Sequence, residues 1–199
     1  EAFLDNPTLV QGWYRHRREV VEDAAPNAGH HALADLEAHV PSMAVVTQNV
    51  DDLHNRAETS TVIELHGNIT DNYCMDCEQA VGAAAVDAAI QDGEPARCPD
   101  CGGLVRPDVV WFGEMLPPDA MEQADATTEQ ADVFLSVGTS AVVYPAARLP
   151  VAAREQGAYV AEVNPDTTGV TDDVHETIRG PAGDVLPALV DAVAARQRP

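Results

Sequence analysis

Long stretches of mixed apolar and polar residues alternate along the chain with short apolar runs, and the two textures predict helices and strands in turn. The stretch "DNPTLVQGWYRHRREVVEDAAP" predicts a helix with Asn6 as its N-cap and Pro7 in the first turn, stopping near Pro26. A second helix, "HHALADLEAHV", ends before Pro41. The run "SMAVVTQ" has strand length, and "TVIELHG" is a second strand closed by a glycine. Between Cys74 and Cys101 the texture changes to paired cysteines around an alanine-rich insert, which reads as one inserted module. Beyond it come "GGLVRPDVVWFGE" as strand and loop, "PPDAMEQADATTEQA" as helix, "DVFLSVGTS" as strand and "PAARLPVAAREQG" as helix. The chain closes with the strand "AYVAEVNP", an irregular "DTTGVTDDVHETIRG" and a final helix, "AGDVLPALVDAVAARQ".

Strands alternating with helices predict an α/β fold: a Rossmann-like parallel sheet with helices on both faces, plus the small inserted module. In such folds ligands bind beyond the carboxyl ends of the strands. The polar clusters obey that rule, since "TQNVDD", "HGN", "GTS" and "NPD" each follow an apolar strand. A dinucleotide-sized ligand would use all four.

Composition narrows the picture. At 199 residues and 45% hydrophobic, the chain can build one good core, or one domain with a satellite. No apolar run approaches a membrane span and the opening "EAFLDNPTLV" lacks the features of a signal peptide, so a soluble cytoplasmic protein is expected. Against 33 acidic residues stand 11 basic ones, all arginine, for a formal net charge of −22. Such a surface repels nucleic acid and anionic membrane. The acidity is spread along the chain, as in proteins that work in high salt, where self-repulsion is screened.

Cys74, Cys77, Cys98 and Cys101 form C-x2-C, twenty residues, C-x2-C, a spacing that lets two tight turns present four thiolates to one ion. Four sulfurs close a tetrahedral shell, the structural kind of zinc site; redox or disulfide cysteines are the alternative. His66 stands just past a strand with a glycine behind it, where an imidazole could take a proton near neutral pH, although a lone histidine is more often structural. Gln48, Asn49 and Asp51 offer amides and a carboxylate that match a carboxamide and ribose hydroxyls, or else cap a turn. Gly138, Thr139 and Ser140 suit a phosphate or ribose, or simply begin a helix.

Taken in order, "TQNVDDLH", "LHGN", the two C-x2-C pairs, "CGGLVRPDVVWFGE", "VGTSAVVYPAA", "EVNP" and "GPAGDVLPAL" resemble the sirtuins, the NAD-dependent protein-lysine deacylases. The resemblance implies a Rossmann-type NAD-binding large domain over residues 1–70 and 105–199, whose first 28 residues form a helical acyl-pocket segment, and a zinc-binding module over 71–104. It implies that His66 is the general base and that Gln48, Asn49, Val50 and Asp51 bind ribose and nicotinamide. Gly138, Thr139, Ser140, Asn164, Pro165, Asp166 and Ala182 would line the dinucleotide. Val110, Trp111, Phe112, Gly113 and Glu114 would pair with an extended acyl-lysine peptide. The reaction so implied releases nicotinamide and transfers the acyl group to ADP-ribose.

The stretch "GWYRHRRE" resembles the Tyr-x-x-Arg pattern of the sirtuin subgroup that removes succinyl and malonyl groups. On that match Tyr14 and Arg17 line the acyl pocket, with Arg17 forking onto an acyl carboxylate; a solvated helix face is the alternative. Sirtuins also open with a strand and a "GAG-x-S" loop that wraps the pyrophosphate, and this sequence begins after them, as a truncated form of a longer parent would. Two further readings follow from that departure and from the chemistry: a zinc-stabilised fragment that binds peptide or NAD without turnover, and an ADP-ribosyltransferase that hands the same sugar to another nucleophile.

Overall fold

The computed structural model describes residues 2–197. A single helical turn, α1 (Ala2–Asp5), leads into α2 (Pro7–Asp23), and the Asn6 side chain accepts from the Leu9 backbone N–H at 3.1 Å, as an N-cap should. By its internal contacts the chain divides into two units.

The first unit comprises Glu1–Ala25, Asn49–Asp52 and His66–Met115. Its sheet is an antiparallel pair, β3 (Gly67–Cys74) with β4 (Val105–Val109), whose register shifts between Asn68 and Asn72. The helix α5 (Ala83–Gln91) occupies the insert between the cysteine pairs. Its core gathers Cys74, Val81, Val86, Ala96, Cys98 and Val105. The buried Gln11 of α2 is stitched to this core: its amide donates to the Val105 carbonyl at 2.6 Å and accepts from the Ala96 N–H at 2.8 Å. A buried amide satisfied on both sides fixes a helix more specifically than apolar packing alone.

The second unit comprises Pro26–Gln48, Leu53–Leu65 and Leu116–Pro199. Here β1 (Val45–Thr47) pairs in parallel with β2 (Val62–Glu64), the short α4 (Leu53–Arg56) falling between them in sequence. A three-stranded parallel sheet runs β5 (Val133–Val137), β6 (Tyr159–Val163), β7 (Glu176–Ile178), with β6 in the middle. The central strand is buried from Val160 to Val163, the continuous pattern a covered parallel strand requires. Helices α6 (Pro118–Glu129) and α7 (Leu149–Glu155) pack on each other, α6 against β2 and α7 against β5 and β6. Their core holds Ile63, Leu65, Ala124, Ala146 and Leu149, and full burial of a side chain such as Leu65 contributes roughly 1.5–3 kcal/mol. The remaining helices, α3 (Ala28–Leu36) and α8 (Ala182–Gln197), pack against each other. A Cβ on Gly29 would stand 3.2 Å from the Ala182 carbonyl, so the two helices approach tightly at the glycine.

The parallel α/β architecture agrees with the sequence pattern. Two strands differ from it. β3 forms from the polar "GNITDNYC", and β7 lies inside the segment expected to be irregular. In each, pairing with a neighbour supplies the strand that local hydrophobicity does not.

Candidate functional site

The turn after β1 is built by backbone geometry. Asp52 adopts φ of 59°, and its carboxylate accepts from the Asn68 amide at 3.1 Å. The Ile69 N–H donates to the Val50 carbonyl at 2.9 Å. Asn68 is buried, and its amide oxygen also accepts from the Thr70 N–H and hydroxyl. Thus the stretch Asn49–Asp51 is anchored to the first residues of β3, with Asn49 exposed and Val50 and Asp51 half-buried. Gln48 falls in the second unit, where its amide lies 3.4 Å from the Thr139 hydroxyl.

His66 is half-buried and sits immediately before a residue only glycine suits. Gly67 has φ of +76°, and a Cβ there would lie 2.1 Å from the Asp108 carbonyl oxygen. The His66 carbonyl accepts from the Val110 N–H at 3.0 Å. This bond makes the histidine a backbone neighbour of the stretch Val110–Glu114.

That stretch is held by a residue the sequence reading passed over. Arg106 of β4 is buried and binds Glu114 in a fork, at 2.7 and 2.8 Å, while also donating to the Val109 carbonyl at 2.8 Å. Its guanidinium lies 3.5 Å from the centre of the Trp111 ring, within cation–π range. Glu114 closes the loop by accepting from the Trp111 N–H at 2.8 Å. The Arg106 guanidinium holds the Glu114 carboxyl below the usual carboxylate range. Phe112 between them is fully exposed.

Tyr14 and Arg17 occupy α2. The Tyr14 hydroxyl accepts from the Trp111 indole at 2.7 Å, and burial pushes its phenol up. Arg17 is exposed and stacks over Trp13 at 5.6 Å. It is Arg18, one position on, that turns inward to Asp87.

The four cysteine sulfurs all lie within 4.8 Å of one another. Sulfur separations of 3.4 Å for Cys74–Cys101 and Cys77–Cys101, and 3.7 Å for Cys77–Cys98, are too long for a disulfide and suit ligands of one ion. Ionisation is uneven among the thiols. Burial pushes Cys74 up, but backbone N–H groups and neighbouring thiols outweigh it and bring it down to about 7. Cys77, despite a backbone N–H from Gln79, is pushed up to about 12 by Cys101, burial and the other thiols. One thiolate suppresses the next unless a cation joins them, and zinc is the cation that this donor set fits. Gly103 allows the turn to close, since a Cβ there would come within 2.8 Å of the Cys74 sulfur.

In the second unit, Gly138 takes φ of +61° after β5, and the Thr139 hydroxyl accepts from the Ala141 N–H at 3.1 Å. Asn164 follows β6 and donates its amide to the Thr139 carbonyl at 2.9 Å, so two of the expected dinucleotide loops are hydrogen-bonded to each other. Its side-chain oxygen accepts from the Asp166 N–H at 3.1 Å, which folds Pro165 and Asp166 into a tight turn. Ala182 begins α8.

Sequence pattern alone did not single out Arg106, Asn68 or the buried Glu162. A lone arginine in "LVRPD" and a glutamate within an apolar strand were the available signals, because neither charge belongs in such a position without a partner.

Similarity to known proteins agrees with this arrangement. The sequence pattern of the Sir2 family matches residues 1–145. The chain is 46% identical over 198 residues to the NAD-dependent protein deacylase 2 of Pyrobaculum aerophilum, covering 100% of this chain and 78% of that protein. It is 47% identical over 193 residues to the NAD-dependent protein deacylase 1 of Pseudomonas aeruginosa, covering 95% and 77%. Among solved structures, a complex of a Sir2 homologue with NAD superimposes with a TM-score of 0.90 at 43% identity, over 98% of this chain and 75% of that one. Sir2 bound to acetylated peptide gives 0.88 at 33% identity, over 96% and 81%.

Proposed function

The chain belongs to the Sir2 family, and from that premise we propose that it is an NAD-dependent protein-lysine deacylase acting on acylated-lysine proteins and peptides. The observation that carries this reading is the hydrogen bond of 3.0 Å from the Val110 N–H to the His66 carbonyl. It joins a histidine between two strands to the stretch proposed to pair with an extended peptide, so base and acyl-lysine come to the same place.

When bound, NAD would supply a ribose carbon made electrophilic by the departure of nicotinamide. Gln48, Asn49, Val50 and Asp51 hold the nicotinamide and its ribose, their turn kept in shape by Asp52 and Asn68. Gly138, Thr139, Ser140, Asn164, Pro165, Asp166 and Ala182 line the rest of the dinucleotide, with the Asn164–Thr139 bond holding two of these loops in register. His66 takes the proton from a ribose hydroxyl, and Gly67 fixes its backbone while it does so. Val110, Trp111, Phe112, Gly113 and Glu114 form the peptide ledge, clasped by Arg106. Cys74, Cys77, Cys98 and Cys101 hold one zinc ion with no position left for substrate, so the metal supplies rigidity rather than chemistry. Four free thiols around one ion suit the reducing cytoplasm.

Tyr14 and Arg17 extend the reading to acidic acyl groups. Arg17 is exposed, with its guanidinium 5.6 Å from the Trp13 ring centre and able to fork onto a carboxylate, and the Tyr14 hydroxyl is held by Trp111. Matched acetyl-, succinyl- and malonyl-lysine peptides with NAD test both levels, by nicotinamide release. Arg17→Met is expected to cut desuccinylation by about tenfold or more, the equivalent of one lost charged hydrogen bond, and to spare deacetylation. Equal losses on both peptides would reject the acidic pocket while leaving deacylation standing.

A further inference from the structure

The carboxylate of Glu162 is the most deeply buried charge in the second unit, at 1% exposure on the central strand β6. A buried carboxylate costs several kcal/mol unless its oxygens are matched, and here both are. One accepts from the Thr168 hydroxyl; the other accepts from the Thr171 hydroxyl at 2.7 Å and faces the Arg179 guanidinium at 3.4 Å. None of these residues is in the roles assigned above.

Their partners are. Arg179 donates to the Asp166 carbonyl, and also reaches the Asn164 carbonyl at 3.4 Å. Beyond Thr168, the Gly169 N–H donates to the Ser140 carbonyl at 3.2 Å, and a Cβ on Gly169 would stand 2.9 Å from the Ala141 carbonyl oxygen. The Thr168–Thr171 turn is closed on itself, with the Thr168 N–H on the Thr171 hydroxyl at 2.8 Å. Through Arg179 the buried carboxylate reaches the 164–166 turn, and through Thr168 and its neighbour Gly169 it reaches Ser140 of the 138–140 loop.

We infer that Glu162 is a positioning residue for NAD: through Arg179 on one side and Thr168 and Thr171 on the other, it fixes the Asn164–Asp166 turn and the Gly138–Ser140 loop in the geometry that receives the dinucleotide. The inference rests on the deacylase reading and on these two loops lining NAD. It assigns Glu162 no contact with substrate and no part in proton transfer. The carboxylate works by being unable to move without leaving a charge unpaired in the core.

Steady-state kinetics of Glu162→Gln and Arg179→Met, each against NAD and against acyl peptide, test it. Glu162→Gln keeps the shape and one acceptor oxygen but turns the other into an NH2 donor and removes the charge that holds Arg179; Arg179→Met changes a partly exposed side chain and preserves the core. Both are expected to raise KM for NAD by about tenfold, with KM for peptide unchanged and kcat recovered at saturating NAD. Both should weaken ADP-ribose binding in calorimetry to the same extent. Unchanged KM for NAD in either variant would overturn the inference, as would a fall in kcat alone, which a merely structural loss of folded enzyme produces. An inactive wild-type protein would instead strike the deacylase reading, so the two failures are distinguishable.

Discussion

His66 and Gly67 together are the smallest unit of the account. In the proposed mechanism the histidine takes the proton, and the glycine brings a backbone that no other residue adopts without strain. Gly67→Ala places a Cβ 2.1 Å from the Asp108 carbonyl oxygen in a left-handed conformation, so strand β3 must part from β4 at its first pair. The expected cost is about 2–4 kcal/mol of stability, the sum of the conformational and steric penalties. Denaturant unfolding checks this, and a variant as stable as the parent would show that the pair opens freely. At this scale the sequence marks as candidates the polar residues that follow apolar runs, such as Gln48, His66 and Asn164. It shows Arg106 and Glu162 only as charges out of place, because a buried charge is intelligible only beside its side-chain partners, which lie 6 to 17 positions away in the chain.

At the scale of elements, the loop Val110–Glu114 is exposed yet shaped, and the Arg106–Glu114 fork is what shapes it. Because Arg106 depresses the Glu114 pKa in the folded protein, the pair's stabilisation is present above the ordinary glutamate value and is lost as pH falls through the folded value. The melting-temperature gap between the parent and Glu114→Gln is therefore expected to be widest at neutral pH and to close below about pH 4. A gap that stays constant with pH would mean that the charge contributes nothing. Helices were the elements most legible in the sequence, since Asn6 and Pro7 mark a start that the structure keeps. Strand β3 was not, because its residues are polar and its partner β4 lies beyond the whole cysteine module. Periodicity records which face is buried; it does not record pairing across 30 residues of intervening chain.

Over the whole molecule the formal charge is −22, and several of the arginines fasten one element to another: Arg18 on Asp87, Arg106 on Glu114, Arg148 on Asp125 and Arg179 on Glu162. Arginine suits this use, since its planar fork meets a carboxylate with two bonds. Among the described residues no helix is long and apolar enough to cross a membrane. The parallel α/β class was legible from the alternation of strand and helix alone, and three separated segments of the chain build each of the two units. The central claim is that this chain moves an acyl group from lysine to the sugar of NAD. Its most direct test is a mass balance on the full-length protein with an acyl-labelled lysine peptide, with and without NAD. The expected result is one labelled acyl-ADP-ribose for each nicotinamide and each free lysine, and none of the three without NAD. Nicotinamide released while the label stays on lysine would contradict it.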